Sequence, residues 1–170
     1  MNKKDSQKVH FMAQASMIAA IYTALTLALS PVSYGPVQFR ISEALCILPY
    51  FTPAAVPGLF LGCLISNGIG AAMGTTVALD MIFGSLATLI GALGSRAVRK
   101  KRWLVCIPPI LSNTIIVPWV LRYAYGSPDM IPFMMLTVGI GEVLAVGVLG
   151  NILLAMLERY KGRIFRQAAV

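Results

Sequence analysis

Charged side chains are scarce in this chain: Lys, Arg, Asp and Glu together make up 12% of its residues. Soluble globular domains carry about 25%, so an ordinary soluble domain is a poor description of it. The sequence has one histidine, His10, and no glycine-rich phosphate-binding loop, metal-ligand cluster or nucleophile motif. These absences leave a small intramembrane enzyme as a weak alternative, and no cofactor is expected.

Cysteine is also rare. Cys46, Cys63 and Cys106 are odd in number, lie in apolar sequence and lack the spacing of metal ligands. We therefore interpret them as small hydrophobic residues that form neither a disulfide framework nor a metal site.

Apolar sequence dominates what is present. Hydrophobic residues make up 58% of the chain and the mean hydropathy is +0.79. Runs of about 20 apolar residues, long enough to cross a lipid bilayer, recur from Phe11 onward. The sequence predicts an all-α integral membrane protein with one transmembrane domain over residues 1–170. Its six predicted helices cover residues 11–30, 41–52, 54–73, 76–95, 103–124 and 131–157, and the second is short enough to be tilted or buried within the protein.

The net charge of +8 comes from basic residues in three clusters that flank the apolar runs. Such residues accumulate on the cytoplasmic side of membrane segments, so the charge predicts topology and no nucleic-acid partner. An even number of crossings must then precede the middle cluster, and both termini are predicted to be cytoplasmic. The clusters are Lys3, Lys4 and Lys8, then Arg96, Arg99, Lys100, Lys101 and Arg102, then Arg159, Lys161, Arg163 and Arg166.

Small residues recur every four positions on the first helix, at Ser16, Ala20, Ala24 and Ala28. This spacing places them on one face and leaves a shallow groove where another helix approaches closely. The groove either docks a separate protein or packs inside the bundle, and the sequence leaves both alternatives open.

Ionisable residues at membrane depth are costly and are functional candidates by default. Arg40 and Glu43 lie three residues apart and could pair with each other, whereas Asp80 could pair with Arg122. Glu142 has no basic partner near its depth and is the strongest ligand candidate on physical grounds. Two alternatives stay open for Asn67 and Asn113: their amides either contact a ligand or form hydrogen bonds between helices. The full candidate set is Gln38, Arg40, Glu43, Asn67, Asp80, Asn113 and Glu142.

Acids, amides and one arginine suit a small polar ligand with several donors, including a cationic one. The sequence contains no motif for nucleotide hydrolysis. Transport by such a protein would therefore need an energising partner protein or an ion gradient. The alternative function is a gradient-driven permease acting alone on a small polar or cationic solute, with Glu142 or Asp80 carrying a proton.

Four blocks resemble the QueT family of queuosine-precursor transporters, the substrate-binding S components of energy-coupling factor (ECF) transporters. They are GPVQFRISEAL at 35–45, TPAAVPGLFLG at 52–62 with Asn67 after it, Asp80, and FGSLAT at 83–88. The resemblance covers nearly the whole chain.

This resemblance implies a six-helix S-component fold whose ligand, a 7-deazaguanine such as preQ1 or queuine, lies near the outer face. It implies docking, through Ser16, Ala20 and Ala24, onto a transmembrane coupling subunit that works with two cytoplasmic ATPase subunits. Ala15 and Ala19 also fit the docking motif, so its register stays open. From the chemistry, we expect the amino-pyrimidinone edge of the ligand at Glu43, Asp80 or Asn67 and a protonated aminomethyl group at Glu142.

Overall fold

The computed structural model describes residues 2–33 and 39–164, and these ranges are helical with short connections. The main helices are α1 (Lys3–Ala28), α2 (Ile41–Tyr50), α3 (Ala55–Ala72), α4 (Ala78–Ala97), α5 (Ile107–Tyr123) and α6. Helix α6 begins as Ile131–Glu142, continues as a π-helical segment over Val143–Gly150 and ends as Asn151–Ile164. The all-α prediction is therefore confirmed over the described residues.

Five helices of the described chain are long and apolar enough to cross a membrane. They correspond to α1 and α3 to α6, and helix α1 starts at Lys3 rather than near residue 11 because its polar first turns continue the same helix. The sixth predicted span corresponds to α2, which ends at Tyr50.

Helix α2 is a 3₁₀ helix of 10 residues. A 3₁₀ helix rises about 2.0 Å per residue against 1.5 Å for an α-helix, so α2 reaches roughly 20 Å, where an α-helix of equal length would reach about 15 Å. Every residue from Ser42 to Pro49 is buried. The helix therefore lies within the protein, as the sequence indicated for a short second span.

Glycines set the contact between α1 and α3. A methyl group on Gly58 would lie 2.8 Å from the Ala15 carbonyl oxygen, and one on Gly62 would lie 2.8 Å from the Tyr22 Cβ. Only glycine allows the two backbones to approach this closely. The motif GLFLG at 58–62 is thus a helix contact, as its spacing predicts. The sequence GAAMG at 70–74 has the same spacing and predicts a second contact, but Gly74 lies beyond α3 in a turn with φ +73° and makes no such contact with the described residues.

Side-chain contacts define the end of the bundle where α2 terminates. Arg96 Nη1 donates to the Pro49 carbonyl oxygen at 3.0 Å, and Arg102 pairs with Glu158 at 2.9 Å. The Tyr50 hydroxyl donates to the same glutamate at 3.1 Å. Because the residue before α2, Arg40, contacts Asp80 at the first turn of α4, α2 connects the two ends of the bundle.

Candidate functional site

A buried ion pair joins Arg40 to the first turn of α4. Arg40 Nη2 lies 3.0 Å from Asp80 Oδ2, and the two side chains are 5% and 0% exposed. The pairing of Arg40 with Glu43 considered from sequence is wrong, because Arg40 precedes α2 in an extended conformation (φ −98°, ψ 105°) and its side chain turns toward α4. The pairing of Asp80 with Arg122 is also wrong, since Arg122 donates to backbone carbonyls of the loop after α5.

Asn67 on α3 lies against Asp80. Its Nδ2 donates to the Asp80 backbone oxygen at 3.3 Å and to the Cys63 sulfur at 3.4 Å. A methyl group on Gly84 would lie 2.9 Å from Asp80 Oδ1 and 3.2 Å from Asn67 Nδ2, so glycine leaves room for both polar groups. Asn67 Oδ1 and Asp80 Oδ1 are buried, and within the described ranges neither accepts a hydrogen bond.

Glu43 on α2 is 1% exposed and accepts hydrogen bonds from three helices. The Tyr22 hydroxyl donates to its Oε1, and the Cys46 thiol and Asn113 Nδ2 lie 2.9 and 3.4 Å from its Oε2. The donors lie on α1, α2 and α5. Glu43 therefore ties these helices together, and its acceptor capacity is largely used.

Glu142 on α6 shares the Asn113 amide, whose Nδ2 donates to Glu142 Oε1 at 3.1 Å. Glu142 Oε2 is buried and accepts no hydrogen bond from the described residues. Among those residues, the salt bridges involve Asp80 and Glu158 instead. Glu142 takes part in neither of these two salt bridges. It directly precedes the π-helical segment, a form that occurs frequently at functional sites.

Cys63 connects the two groups of acids. Its sulfur lies 4.0 Å from Arg40 Nη1, and Cys63 packs in the same core cluster as Tyr22 and Cys46. Two hydrogen-bonded groups that pack against each other at Cys63 therefore run through the bundle, and together they are called the polar cluster below. It consists of Asp80, Asn67, Arg40, Cys63, Tyr22, Glu43, Cys46, Asn113 and Glu142.

The structure brings together the predicted residues that it describes: Arg40, Glu43, Asn67, Asp80, Asn113 and Glu142. Gln38 lies outside the described residues. Cys46 and Cys63 are buried in the apolar core, as the sequence indicated, and each also takes part in a hydrogen bond within the cluster. Sequence reasoning also missed Tyr22, whose only signal is a hydroxyl in the middle of an apolar helix.

The two faces of α1 differ in burial. Ala15 and Ala19 are buried against α3, whereas Ser16, Ala20 and Ala24 are exposed on the opposite side. No described part of the chain covers the Ser16–Ala20–Ala24 stripe, called the α1 stripe below. The internal packing considered from sequence therefore belongs to Ala15 and Ala19.

A bundle of helices able to cross a membrane, with a buried polar cluster inside it, is an arrangement typical of membrane proteins that bind or transport polar solutes. The model of the QueT transporter family matches residues 12–159, and the chain belongs to this family. It is a multi-pass protein of the cell membrane.

The chain is also similar to a protein named queuosine precursor transporter QueT from Lactococcus lactis subsp. cremoris (strain MG1363). The two are 35% identical over 85 residues, which cover 49% of this chain and 47% of the relative. The match thus spans about half the length of that relative. No solved structure matches the chain.

Proposed function

We propose that this chain is the substrate-binding S component of an ECF importer and that its cargo is a queuosine precursor, a 7-deazaguanine such as preQ1 or queuine. Membership of the QueT transporter family and the name of the Lactococcus relative support the cargo. The polar cluster supports a binding role. Buried acids and amides are energetically costly in a membrane protein, so a group of them indicates a functional site.

The observation that carries the proposal is the chemistry of the unused atoms. Asn67 Oδ1, Asp80 Oδ1 and Glu142 Oε2 are all acceptors, and all three are buried without a partner among the described residues. An unsatisfied buried acceptor costs about 1–3 kcal/mol. A ligand that fits must therefore present donors, and a 7-deazaguanine offers ring N–H groups and an exocyclic amino group, with an ammonium group added in preQ1.

These acceptors lie in two separate places, so we assign one end of the ligand to each place. Asp80 and Asn67 lie together and would take the amino-pyrimidinone edge, whereas Glu142 would take the aminomethyl group. Glu43 already accepts from three donors, so we assign it to holding the site together.

The same proposal places six crossings in the membrane, with α2 as the second and both termini in the cytoplasm, and treats residues 1–170 as one domain. The basic residues around Arg96–Arg102 support this orientation. The sequence contains no nucleotide-hydrolysis motif. A transmembrane coupling subunit and two ATPase subunits would supply the energy, and the coupling subunit would dock on the α1 stripe. Catalysis has no part in the proposal.

Calorimetry on the purified chain alone tests the proposal directly. We expect preQ1 or queuine to bind tightly without ATP or any partner. Guanine should bind much more weakly, because it lacks the aminomethyl group that Glu142 would accept. If a folded sample binds none of the three, the cargo assignment is wrong. Uptake that collapses with an uncoupler and needs no ATPase subunits would instead favour the gradient-driven permease.

Glu142→Gln is expected to weaken binding of preQ1 by about 1–3 kcal/mol, or roughly 5- to 150-fold, because it removes a charged acceptor from a buried site. Queuine and preQ1 should be compared in the same titration series. Glu158→Gln is the matched control, since it makes the same chemical change at the far end of the bundle and should leave affinity unchanged. An unaltered preQ1 affinity in Glu142→Gln would remove Glu142 from the site.

A further inference from the structure

Two connections between helices meet on a single oxygen of Asp80. Arg40, which precedes α2, approaches Asp80 Oδ2 to 3.0 Å, and the hydroxyl of Tyr125, in the connection between α5 and α6, donates to it at 3.4 Å. The second carboxylate oxygen, Asp80 Oδ1, is buried and accepts no hydrogen bond from the described residues. Asp80 is thus a common attachment point for loops from two sides of the bundle.

Tyr125 is positioned by packing and by its backbone. Its ring packs against an apolar cluster between α5 and α6, and its backbone N–H donates to the Val120 carbonyl at 3.3 Å. Next in sequence, Gly126 has φ +65°, a conformation that favours glycine and turns the chain sharply after the tyrosine. The apolar cluster comprises Val117, Leu121, Met134 and Val138.

The direction of the Tyr125 hydrogen bond follows from its surroundings. Burial, followed by the nearby Asp80 carboxylate, raises the pKa of the Tyr125 phenol above its ordinary value. The phenol therefore keeps its proton at neutral pH and acts as the donor.

Of the three groups at this junction, Tyr125 is the outermost. Its side chain is half-buried, whereas those of Arg40 and Asp80 are buried. Directly inside the junction is Cys63, which is 0% exposed and hydrogen-bonded to Asn67. Among the described residues, Arg40 and Tyr125 therefore lie on the outer side of Cys63 at this end of the polar cluster.

We propose that Tyr125 and Arg40 form a two-sided latch on Asp80, and that release of Tyr125 sets the rate at which solute exchanges between the outer solution and the polar cluster. The inference rests on the proposed function in assuming that the cluster binds the cargo. The latch itself is open to a test without cargo, because Cys63 is a natural reporter behind it.

The experiment compares Tyr125→Phe with wild type and with Tyr123→Phe. Tyr123 is 74% exposed and stacks on Trp119, so it offers the same chemical change two residues away and outside the latch. The unliganded full chain is treated with a small methanethiosulfonate reagent, and modification of each cysteine is followed by peptide mass spectrometry. Cys106, half-buried at the opposite end of the bundle, reports general loosening.

In Tyr125→Phe, we expect Cys63 to react about fivefold faster, the factor that corresponds to one hydrogen bond of ordinary strength. Cys106 should react at the wild-type rate, and Tyr123→Phe should leave both rates unchanged. Dissociation of preQ1, followed by stopped flow, should accelerate by a similar factor. The equilibrium affinity should change less, because association accelerates too.

Unchanged reactivity of Cys63 in Tyr125→Phe would overturn the latch, and so would an equal rise at Cys63 and Cys106. A selective rise at Cys63, in a protein whose wild type binds no 7-deazaguanine, would support the latch and refute the proposed cargo. A selective rise together with faster preQ1 release would support both.

Discussion

Replacing Ala20 and Ala24 together by leucine is expected to abolish uptake of the cargo while leaving its affinity for the isolated chain unchanged. Both residues are exposed on α1, and no described part of the chain covers them. Small residues let a helix of another membrane protein approach closely, and leucine would hold the two backbones apart. Uptake is measured in cells that contain the coupling and ATPase subunits, and affinity is measured by calorimetry on the purified variant.

The two faces of α1 supply the controls for this prediction. Ala19→Leu changes the buried face, where the Ala19 carbonyl oxygen lies 3.0 Å from the position of a methyl group on Gly62, and it should impair folding as well as uptake. Ile21→Leu alters an exposed apolar residue outside the α1 stripe and should have no effect. If the double leucine variant loses binding and uptake together, the α1 stripe is required for the fold and is not a docking surface.

Breaking the Arg40–Asp80 pair is expected to cause the largest loss of stability of any change considered. Arg40→Met and Asp80→Asn should each reduce the free energy of unfolding by about 3–5 kcal/mol, because each leaves a buried charge without its partner. Unfolding by SDS in mixed micelles provides the measurement.

The double variant distinguishes pairing from other effects. Combining Arg40→Met with Asp80→Asn should recover most of the lost stability, because both charges of the pair are removed together, yet ligand binding should stay weak without Asp80. The pair Arg102–Glu158 is the comparison: its side chains are 35% and 25% exposed, and breaking it should cost less than about 1 kcal/mol. Strictly additive losses in the double variant would show that Arg40 and Asp80 do not interact.

Much of the fold follows from the sequence because the bilayer restricts the choices. Long apolar runs form helices in lipid, where each backbone polar group needs an internal partner, and the five long spans appear close to their predicted positions. Hydropathy does not distinguish a 3₁₀ helix from an α-helix in a run of 10 residues, so the conformation of α2 had no signal. The π-helical segment within α6 was equally invisible.

In the candidate site, the buried polar residues were easier to predict from the sequence than the partner that each of them contacts. Charges and amides are so unfavourable in lipid that Glu43, Asp80, Asn113 and Glu142 stand out at once. Their partners depend on which helices pack together, and spacing along the chain does not report that. Arg40 therefore pairs across the bundle with Asp80, 40 residues away in sequence.

The sequence did not identify residues whose side chains are largely apolar but carry a hydroxyl or thiol group. Cys46, Cys63, Tyr22 and Tyr125 are compatible with apolar surroundings, so composition and periodicity classify them with the core or the loops. Their hydroxyl and thiol groups become informative only when acids lie beside them, as Glu43 lies beside Tyr22 and Cys46.

The short, buried α2 also constrains how the protein is made. Its ten residues are too few for stable insertion into the membrane on their own, so α2 must enter a space that the longer helices have already prepared. Glu43 lies on α2, so we expect the polar cluster to form only after α2 has packed against the longer helices. If the finished polar cluster binds the cargo as proposed, the ligand would stabilise completed chains by mass action and would protect them from degradation.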